Sequence, residues 1–326
     1  MTVVAYLFTV LKNVIYGSSV YFTGALNENV DVLDILAIRF LISFVVLYLL
    51  KSFKLLKINV GIGDILRKTE RSAYARDLLR AAIFEPVLYM LFETLGITMT
   101  TGITAGVLLS LAPISSCICE SVILKEKTTL GQKIFLGIGI LGVMYIALNT
   151  NTSDGKNTVA GIVFVLLAVV TGSLFMVFSR KSASHFSAME ITYFSAMLGM
   201  VAFNAVNVGR HLICGTIGGY FAPLTNIQNI TGFLFLAVVS TIVATGMNNF
   251  ALSKLQVSVM SAFGGLSTMV TIAIGVLWGG EKLYFFHYIG ILLIVTRMIG
   301  VSYIAIKREK KNGVSDYGKV ELSDIG

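Results

Sequence analysis

Charged residues are scarce in this sequence: only 13% of its 326 residues are aspartate, glutamate, lysine or arginine, whereas 56% are hydrophobic. The mean hydropathy of +0.85 lies far outside the range of soluble domains. The sequence contains ten long apolar runs, which a soluble protein of this length would not contain. The composition therefore excludes a soluble globular protein and predicts an integral membrane protein.

Cysteine and histidine are equally rare, with three residues of each. The cysteines form no disulfide framework, because two lie close together on one predicted helix and point in different directions, while the third lies in a distant loop. The histidines lie apart in different loops or helix ends, without the spacing of metal ligands. Neither a metal nor a cofactor is predicted for these six residues: Cys117, Cys119, Cys214, His185, His211 and His287.

Motifs of nucleotide-driven pumps and of membrane enzymes are missing as well. The sequence has no G-x-x-x-x-G-K-[ST] loop, which argues against direct pumping by ATP. It has no His/Asp or metal-binding constellation near a membrane interface, which argues against a lipid-modifying enzyme. The net charge is +8, but the basic residues cluster in loops beside the apolar runs, so no nucleic-acid partner is predicted.

The apolar runs predict an all-α membrane protein with ten transmembrane helices, each long enough to cross a hydrocarbon core of ~30 Å at ~1.5 Å per residue. If the N terminus is cytoplasmic, only Lys156, Arg210 and Lys282 among the loop lysines and arginines fall outside. Both termini are therefore predicted to be cytoplasmic, in a protein of the plasma membrane. The basic segment 51–77 is interpreted as a solvated cytoplasmic loop. The predicted spans are about Val3–Leu26, Leu33–Leu50, Leu78–Met99, Thr101–Ile123, Leu130–Leu148, Val159–Phe178, Ala188–Val208, Ile230–Leu252, Gln256–Trp278 and Phe285–Ile306.

The two halves of the sequence resemble each other. Leu-Lys-Glu-Lys at 124–127 and Gly-Gly-Glu-Lys at 279–282 each close a span, and similar segments at 92–95 and 249–252 precede them at similar distances. Because five spans per half is an odd number, the second half must enter the membrane inverted. We predict a first five-helix repeat over 1–150, a second, inverted repeat over 151–311, and a disordered cytoplasmic tail over 312–326.

Short motifs are spread over both halves: Tyr16-Gly17-Ser18, Ile38–Leu41, Thr100–Ala105 with Pro113, Lys125-Glu126, Ser179–Lys181 and Gly279–Glu281. Their order and two-fold spacing resemble the drug/metabolite transporter superfamily, in its EamA-type branch of ten helices. The resemblance implies transport of small organic solutes, commonly export, by alternating access through a central cavity. In that branch helices one, three, four, six, eight and nine usually line the cavity. Glu85, Glu93 and Arg297 depart from its pattern.

Ionisable residues inside the predicted spans are the main candidates for function. Glu85, Tyr89 and Glu93 follow one another at four-residue spacing, so they share one face of the third helix. A charge in hydrocarbon costs ~2.5–3.5 kcal/mol at a helix centre, so it normally faces a partner or a water-filled cavity. Glu85 and Glu93 are predicted to bind a cationic solute group or to couple transport to protons, because burial raises the pKa of a carboxyl and a nearby cation lowers it. Alternatively, they pair with Lys12 or Arg297 and simply hold helices together.

Further polar residues complete the predicted substrate site. Lys12 lies too deep in the first helix to reach either interface, and Arg297 is equally deep in the last. Arg297 either clamps a substrate carboxylate or serves as an ion-pair strut. Glu120 and Arg39 are interpreted as structural, with Arg39 capping carbonyls or pairing with Asp31 or Asp34. The full predicted substrate-binding set is Lys12, Asn13, Tyr16, Tyr89, Glu93, Asn248, Asn249 and Arg297.

Three residues are predicted to permit gating motions. Pro113 interrupts backbone pairing within a span, which suits a bent helix. Gly264 and Gly265 belong to a small-residue face that serves either as a gate or for close helix packing.

Taken together, the sequence predicts a secondary active transporter, not an enzyme, that exports a small polar metabolite such as an amino acid by alternating access with proton coupling. A passive channel or facilitator is the alternative, and a membrane-embedded lipid-modifying enzyme is less favoured. The predicted partners are a small-molecule solute and the lipid bilayer, with the chain as a monomer or homodimer.

Overall fold

The chain folds into a bundle of helices, seen here in a computed structural model that describes residues 2–27, 29–59, 70–99, 108–109, 111–125, 129–149, 158–277 and 285–323. The described secondary structure is entirely helical. The motif residues at 100–105, Glu126 and 279–281 lie outside these ranges. The helices are α1 (Thr2–Asn27), α2 (Val32–Ser52), α3 (Glu70–Ala82), α4 (Tyr89–Met99), α5 (Ala112–Cys119), α6 (Leu130–Asn149), α7 (Val159–Ser182), α8 (Ala188–Ile213), α9 (Ile227–Leu234), α10 (Thr245–Leu252), α11 (Val257–Ala262), α12 (Gly265–Leu277) and α13 (Phe285–Ser323).

Six helices in the described part of the chain are long and apolar enough to cross a membrane by length and composition. Three further apolar helices are shorter: Ala112–Leu124, Leu130–Gly142 and Tyr288–Ile304. The six longer spans lie close to six of the ten predicted from the sequence, because long apolar runs determine them directly. The last helix continues to Ser323, into the segment for which the sequence predicts a disordered tail.

Helix α1 has its polar side facing the protein and its apolar side facing outward. Lys12 and Asn13 are 6% and 2% exposed, whereas Leu7 and Leu11 on the opposite side are 57% and 47% exposed. This arrangement is the reverse of a soluble helix, and it is what a lipid environment requires. Lys12 and Asn13 therefore face the interior of the protein.

The helix over residues 70–99 is not a regular rod. A π-helical segment, Ile83–Leu88, separates α3 from α4, and inside it Glu85 has an extended backbone with φ −142° and ψ 125°. Pro86 follows and has no N–H to donate, so regular helix pairing cannot continue through this point. The helix therefore begins at Glu70, before the predicted span Leu78–Met99, and it is interrupted within that span.

The helix over residues 227–252 has a matching irregularity. A ten-residue π-helical segment, Phe235–Ala244, separates α9 from α10. Each half of the chain therefore has a π-helical segment in the middle of its third helix. Such segments are rare, and they occur frequently at functional sites.

Helix packing repeats between the two halves. Helix α1 packs against the 227–252 helix and α12, and α7 packs in the corresponding way against the 70–99 helix and α5. Helices α2 and α8 pack against each other, as do α6 and α13. This pairing is unchanged when each helix is exchanged for its counterpart in the other half.

A glycine allows α1 and α12 to approach closely. A Cβ added at Gly17 would lie 2.5 Å from the carbonyl oxygen of Ser267 and 2.7 Å from Cβ of Val270. The hydroxyl of Thr271 also donates to the Gly17 carbonyl at 3.1 Å. Close contact through small residues is a main source of helix association in membranes.

We therefore expect Gly17→Ala to destabilise the protein by about 1–3 kcal/mol through overpacking. The matched control is Gly24→Ala on the same helix, where an added Cβ would meet nothing within 4 Å. That substitution should be neutral or slightly stabilising, because alanine favours a helix more than glycine does. Thermal unfolding of the two detergent-purified variants measures the difference, and equal melting temperatures would contradict the expectation.

At one end of the bundle, α2 and α8 are joined by a polar network. Asp34 accepts from Asn207 and from His211 Nε2, both at 2.8 Å, and pairs with Arg210 at 2.9 Å. Arg210 also pairs with Asp31 at 2.8 Å. The sequence analysis had considered Asp31 and Asp34 as partners of Arg39, but both bind Arg210 in this network. The spans predicted from the sequence leave residues 209–229 as a connection, but α8 continues to Ile213 and short 3₁₀ turns follow.

Candidate functional site

Four ionisable side chains from three helical segments form one electrostatic cluster inside the bundle. Lys12 comes from α1, Arg39 from α2, and Glu85 and Glu93 from the 70–99 helix. The charges that act on Glu85 are those of Lys12, Glu93 and Arg39. We call these four residues the charged cluster. The sequence placed Lys12, Glu85 and Glu93 together, and the structure brings them together.

The charges of Glu85 and Lys12 act on each other, but the two side chains form no ion pair. Their charges interact, but neither side chain makes a hydrogen bond or a salt bridge within 4.0 Å to any residue that the structure describes. The Lys12 ammonium instead lies 5.4 Å from the centroid of the Tyr16 ring. Because the backbone of Glu85 is extended, its carboxylate leaves the regular helix surface. Two opposite charges are thus held near one another with their hydrogen-bonding capacity largely unused.

Glu93 is held by its own helix. Tyr89 donates its hydroxyl hydrogen to Oε1 of Glu93 at 2.7 Å. The Tyr89 ring lies against Gly172 of α7, where an added Cβ would come within 3.1 Å of the ring. This packing fixes the ring, and the hydroxyl in turn orients the carboxylate.

Arg39 is the member of the cluster that the sequence interpretation missed. Its Nε donates to Oγ1 of Thr241 at 2.7 Å and its Nη2 donates to Oγ of Ser240 at 3.2 Å. The guanidinium therefore joins α2 to the π-helical segment 235–244, and it interacts electrostatically with Glu85 and Glu93. The prediction that Arg39 pairs with Asp31 or Asp34 was wrong, because those carboxylates bind Arg210. Its depth in the span was a signal in the sequence that it belongs with the other buried charges.

Two of the predicted residues on α1 have different roles. Tyr16 makes a hydrogen bond of 3.2 Å with Thr245 at the start of α10, so it links the two halves of the chain beside Lys12. Asn13 is buried, and its Nδ2 donates to the carbonyl of Thr9 within the same helix. Tyr16 therefore borders the charged cluster, whereas the observed bond of Asn13 is local.

The two predicted asparagines on α10 are buried. Asn249 accepts from Ser179 of α7 at 2.8 Å and donates to Thr192 of α8 at 3.0 Å. Its amide therefore joins three helices, a structural role that the sequence interpretation did not include. Asn248 is 4% exposed.

Arg297 is not part of the charged cluster. It lies on α13 and is 2% exposed. A Cβ added at Gly139 of α6 or at Gly265 of α12 would overlap its side chain. Arg297 therefore extends from α13 into the contact with α6 and α12. Its charge is not among those that act on Glu85 and Glu93.

The residues predicted to permit gating lie at helix ends. Pro113 is in the first turn of α5, a position that tolerates proline because its missing N–H would have had no partner there. Gly264 lies between α11 and α12, and Gly265 begins α12. The span predicted over 256–278 is therefore interrupted at these glycines.

The charged cluster is chemically balanced. Two cationic side chains face two carboxylates, in a site bordered by the hydroxyls of Tyr16, Tyr89 and Thr241. Such a site can offer a carboxylate to a solute cation and an ammonium to a solute anion at once. It has the donors and acceptors to bind a small polar solute and to move a proton, but no nucleophile paired with a base is found among its members.

Comparisons with known proteins identify the family of this chain. Residues 3–148 and 159–303 each match the EamA-like transporter family, so the same family pattern occurs twice in the chain. The uncharacterized transporter YcxC of Bacillus subtilis is 28% identical over 310 residues, which are 95% of this chain and 96% of YcxC. An uncharacterized transporter of Archaeoglobus fulgidus is 26% identical over 119 residues, which are 36% of this chain and 41% of that protein.

One solved crystal structure has a similar fold. It superposes with a TM-score of 0.70 and covers 94% of this chain and 98% of its own, at 14% sequence identity. At that identity the likeness concerns the fold alone. Together with the apolar helices, the family match identifies an integral, multi-pass membrane protein.

Proposed function

Because the chain belongs to the EamA-like transporter family, we propose that it is a secondary active transporter that exports a small polar metabolite, such as an amino acid or a related compound. The proposed binding site is the charged cluster together with Tyr16 and Tyr89, and Asn13, Asn248 and Asn249 are proposed to complete its polar surroundings. Arg297 is left out of this site because of its position between α6, α12 and α13.

One observation carries the proposal: two cations and two carboxylates, fully or partly buried, lie between helices of both repeats, and Lys12 and Glu85 among them make no hydrogen bond to a described residue. Lys12 and Glu85 come from the first repeat, while Thr241 and Thr245, which hold Arg39 and Tyr16, come from the second. A purely structural ion pair would be expected to close to hydrogen-bonding distance, because an open pair keeps the desolvation cost and loses most of the attraction. A solute that has both a cationic and an anionic group would satisfy both side chains.

Alternating access is supported by the way the helices are interrupted. The 70–99 and 227–252 helices each contain a π-helical segment beside the charged cluster, and Gly264 separates α11 from α12. Interrupted helices at the interface of two repeats are a recurrent feature of secondary transporters. We propose that the two repeats rock about this site in a topology of ten spans, with the second repeat inverted and both termini cytoplasmic, in the plasma membrane.

Proton coupling is proposed for Glu93 and Glu85. Glu93 accepts a hydrogen bond from Tyr89, and the charge of Glu85 acts on Lys12. Protonation of either carboxylate would therefore change its interaction with a neighbouring side chain. Protonation of either residue would change the charge balance of the cluster by one. A change of that size alters how strongly the site holds a charged solute.

The test is solute counterflow in proteoliposomes. A thermal-shift screen of metabolites on the purified chain first selects a solute, since a selective ligand stabilises the folded state. A carrier should then show saturable uptake of labelled solute that internal unlabelled solute accelerates. Uptake that does not saturate and is not accelerated would favour a channel or facilitator instead, and absence of uptake for every stabilising solute would contradict the proposal.

A further inference from the structure

Arg297 lies in a space that exists only because two facing residues are glycines. Its stem and guanidinium contact Gly139 of α6 and Gly265 of α12, and a Cβ on either glycine would overlap the arginine. The side chain is 2% exposed. A buried cation therefore lies where three helices meet.

The guanidinium has no counter-charge among the residues that the structure describes. Its Nε is buried without a hydrogen-bond partner, and no described hydrogen bond or salt bridge involves the side chain. Arginine cannot shed its proton to escape this situation, because it is charged under all ordinary conditions. A buried charge without a partner is strongly unfavourable, so a group of opposite sign must complete the site.

Other unpartnered polar atoms lie on the same packed helices, and they too can donate. Gln132 Nε2 of α6, Ser258 Oγ of α11 and Ser302 Oγ of α13 are all buried without partners. Gln132 uses its own oxygen to accept from Thr129, so its amide retains only donors. Gln132 and Gly139 are seven residues apart, which places them on the same face of α6 and about 10 Å apart along it.

The guanidinium itself offers several N–H donors and no acceptor. It would repel a metal ion or an organic cation, whereas it would stabilise an anion. Because Arg297 is 2% exposed and packs against both glycines, little space remains beside its guanidinium, which favours a small ion. We propose that Arg297 forms a binding site for a small monoanion, such as chloride or a short carboxylate, distinct from the charged cluster.

The experiment compares anions on the detergent-purified full chain. The melting temperature is followed with a thiol-reactive dye, for which buried Cys117 becomes accessible on unfolding. Sodium gluconate, whose anion is too large for the site, is replaced by sodium chloride, bromide or formate at constant ionic strength. We expect the small anions to raise the melting temperature by roughly 2 °C or more.

Two variants locate the effect. Arg297→Met keeps a long flexible side chain and removes the charge that burial penalises, so it should fold and lose the anion-dependent rise. Lys12→Met removes a buried cation from the charged cluster and should keep the rise, which separates this proposal from the proposed transport site. Bromide should also give an anomalous diffraction peak beside the Arg297 guanidinium.

Three results would overturn the proposal. One is the same melting temperature of the wild-type chain in every anion, which needs no variant. The second is an anion-dependent rise that persists in Arg297→Met, and the third is a bromide peak elsewhere with none at the guanidinium. Formate acting without chloride or bromide would instead assign the site to carboxylates, within the proposed class.

Discussion

Glu93→Gln should abolish the accumulation of solute driven by a pH gradient and leave counterflow without a gradient measurable. Glutamine has nearly the shape of protonated glutamate and can still accept the hydrogen bond from Tyr89. It cannot exchange a proton, so binding can survive while coupling is lost. We expect the accumulation driven by the pH gradient to fall to the level reached without a gradient, because no proton then moves with the solute.

The control for this measurement is Asp31→Asn. Asp31 also forms a charged contact, with Arg210 at 2.8 Å, but its side chain is 52% exposed at the end of the bundle. Its replacement should leave both assays near the wild-type level, because exposed ion pairs contribute little. If Glu93→Gln still accumulates solute in response to a pH gradient, Glu93 is not on the proton route, and Glu85→Gln becomes the variant to measure.

The sequence alone grouped Lys12, Glu85 and Glu93, because hydropathy shows how deep a residue lies within a predicted span. Lys12 lies near the middle of an apolar helix, and Glu85 and Glu93 lie on one face of another. Hydrocarbon excludes such charges, so they must converge in the protein interior regardless of how the helices pack. The constraint left open whether Glu85 or Glu93 is the neighbour of Lys12.

Arg39 and Arg297 show where the same reasoning fails. Both are cations within apolar spans, but Arg39 joins the cluster and Arg297 does not. The difference depends on which helices are neighbours and on rotation about each helix axis. Those properties arise from tertiary packing, for example at Gly139 and Gly265, which hydropathy does not encode.

The sequence analysis also did not predict that the 70–99 and 227–252 helices are interrupted. Pro86 could have indicated the break near Glu85, since proline removes a backbone donor. The π-helical segment Phe235–Ala244 contains no proline and reads as an ordinary apolar run. Its geometry depends on bonds such as that from Thr241 to the Leu236 carbonyl, five residues earlier.

Glu120 caps the start of α11, a role that its position near the end of a predicted span did not indicate. Its two carboxylate oxygens accept from the backbone N–H groups of Val257 and Ser258 at 2.7 and 3.0 Å, at the start of α11. Arg180 lies 3.6 Å from the same carboxylate and also donates to the Leu255 carbonyl. The residue is 1% exposed, so it is a buried cap that joins the two repeats.

Glu120→Gln should therefore destabilise the protein severely, by roughly 3–5 kcal/mol, the usual cost of breaking a buried charge interaction from one side. The amide nitrogen of glutamine would face a backbone donor, and the negative charge that α11 favours at its N terminus would be lost. Glu120→Asp keeps the charge on a shorter stem and should cost less. The melting temperatures of the two purified variants measure the difference. Because Glu120 acts through the backbone of α11, adding Arg180→Met to Glu120→Gln should recover only part of the loss; full recovery would mean that the ion pair, not the helix cap, accounts for the role of this carboxylate.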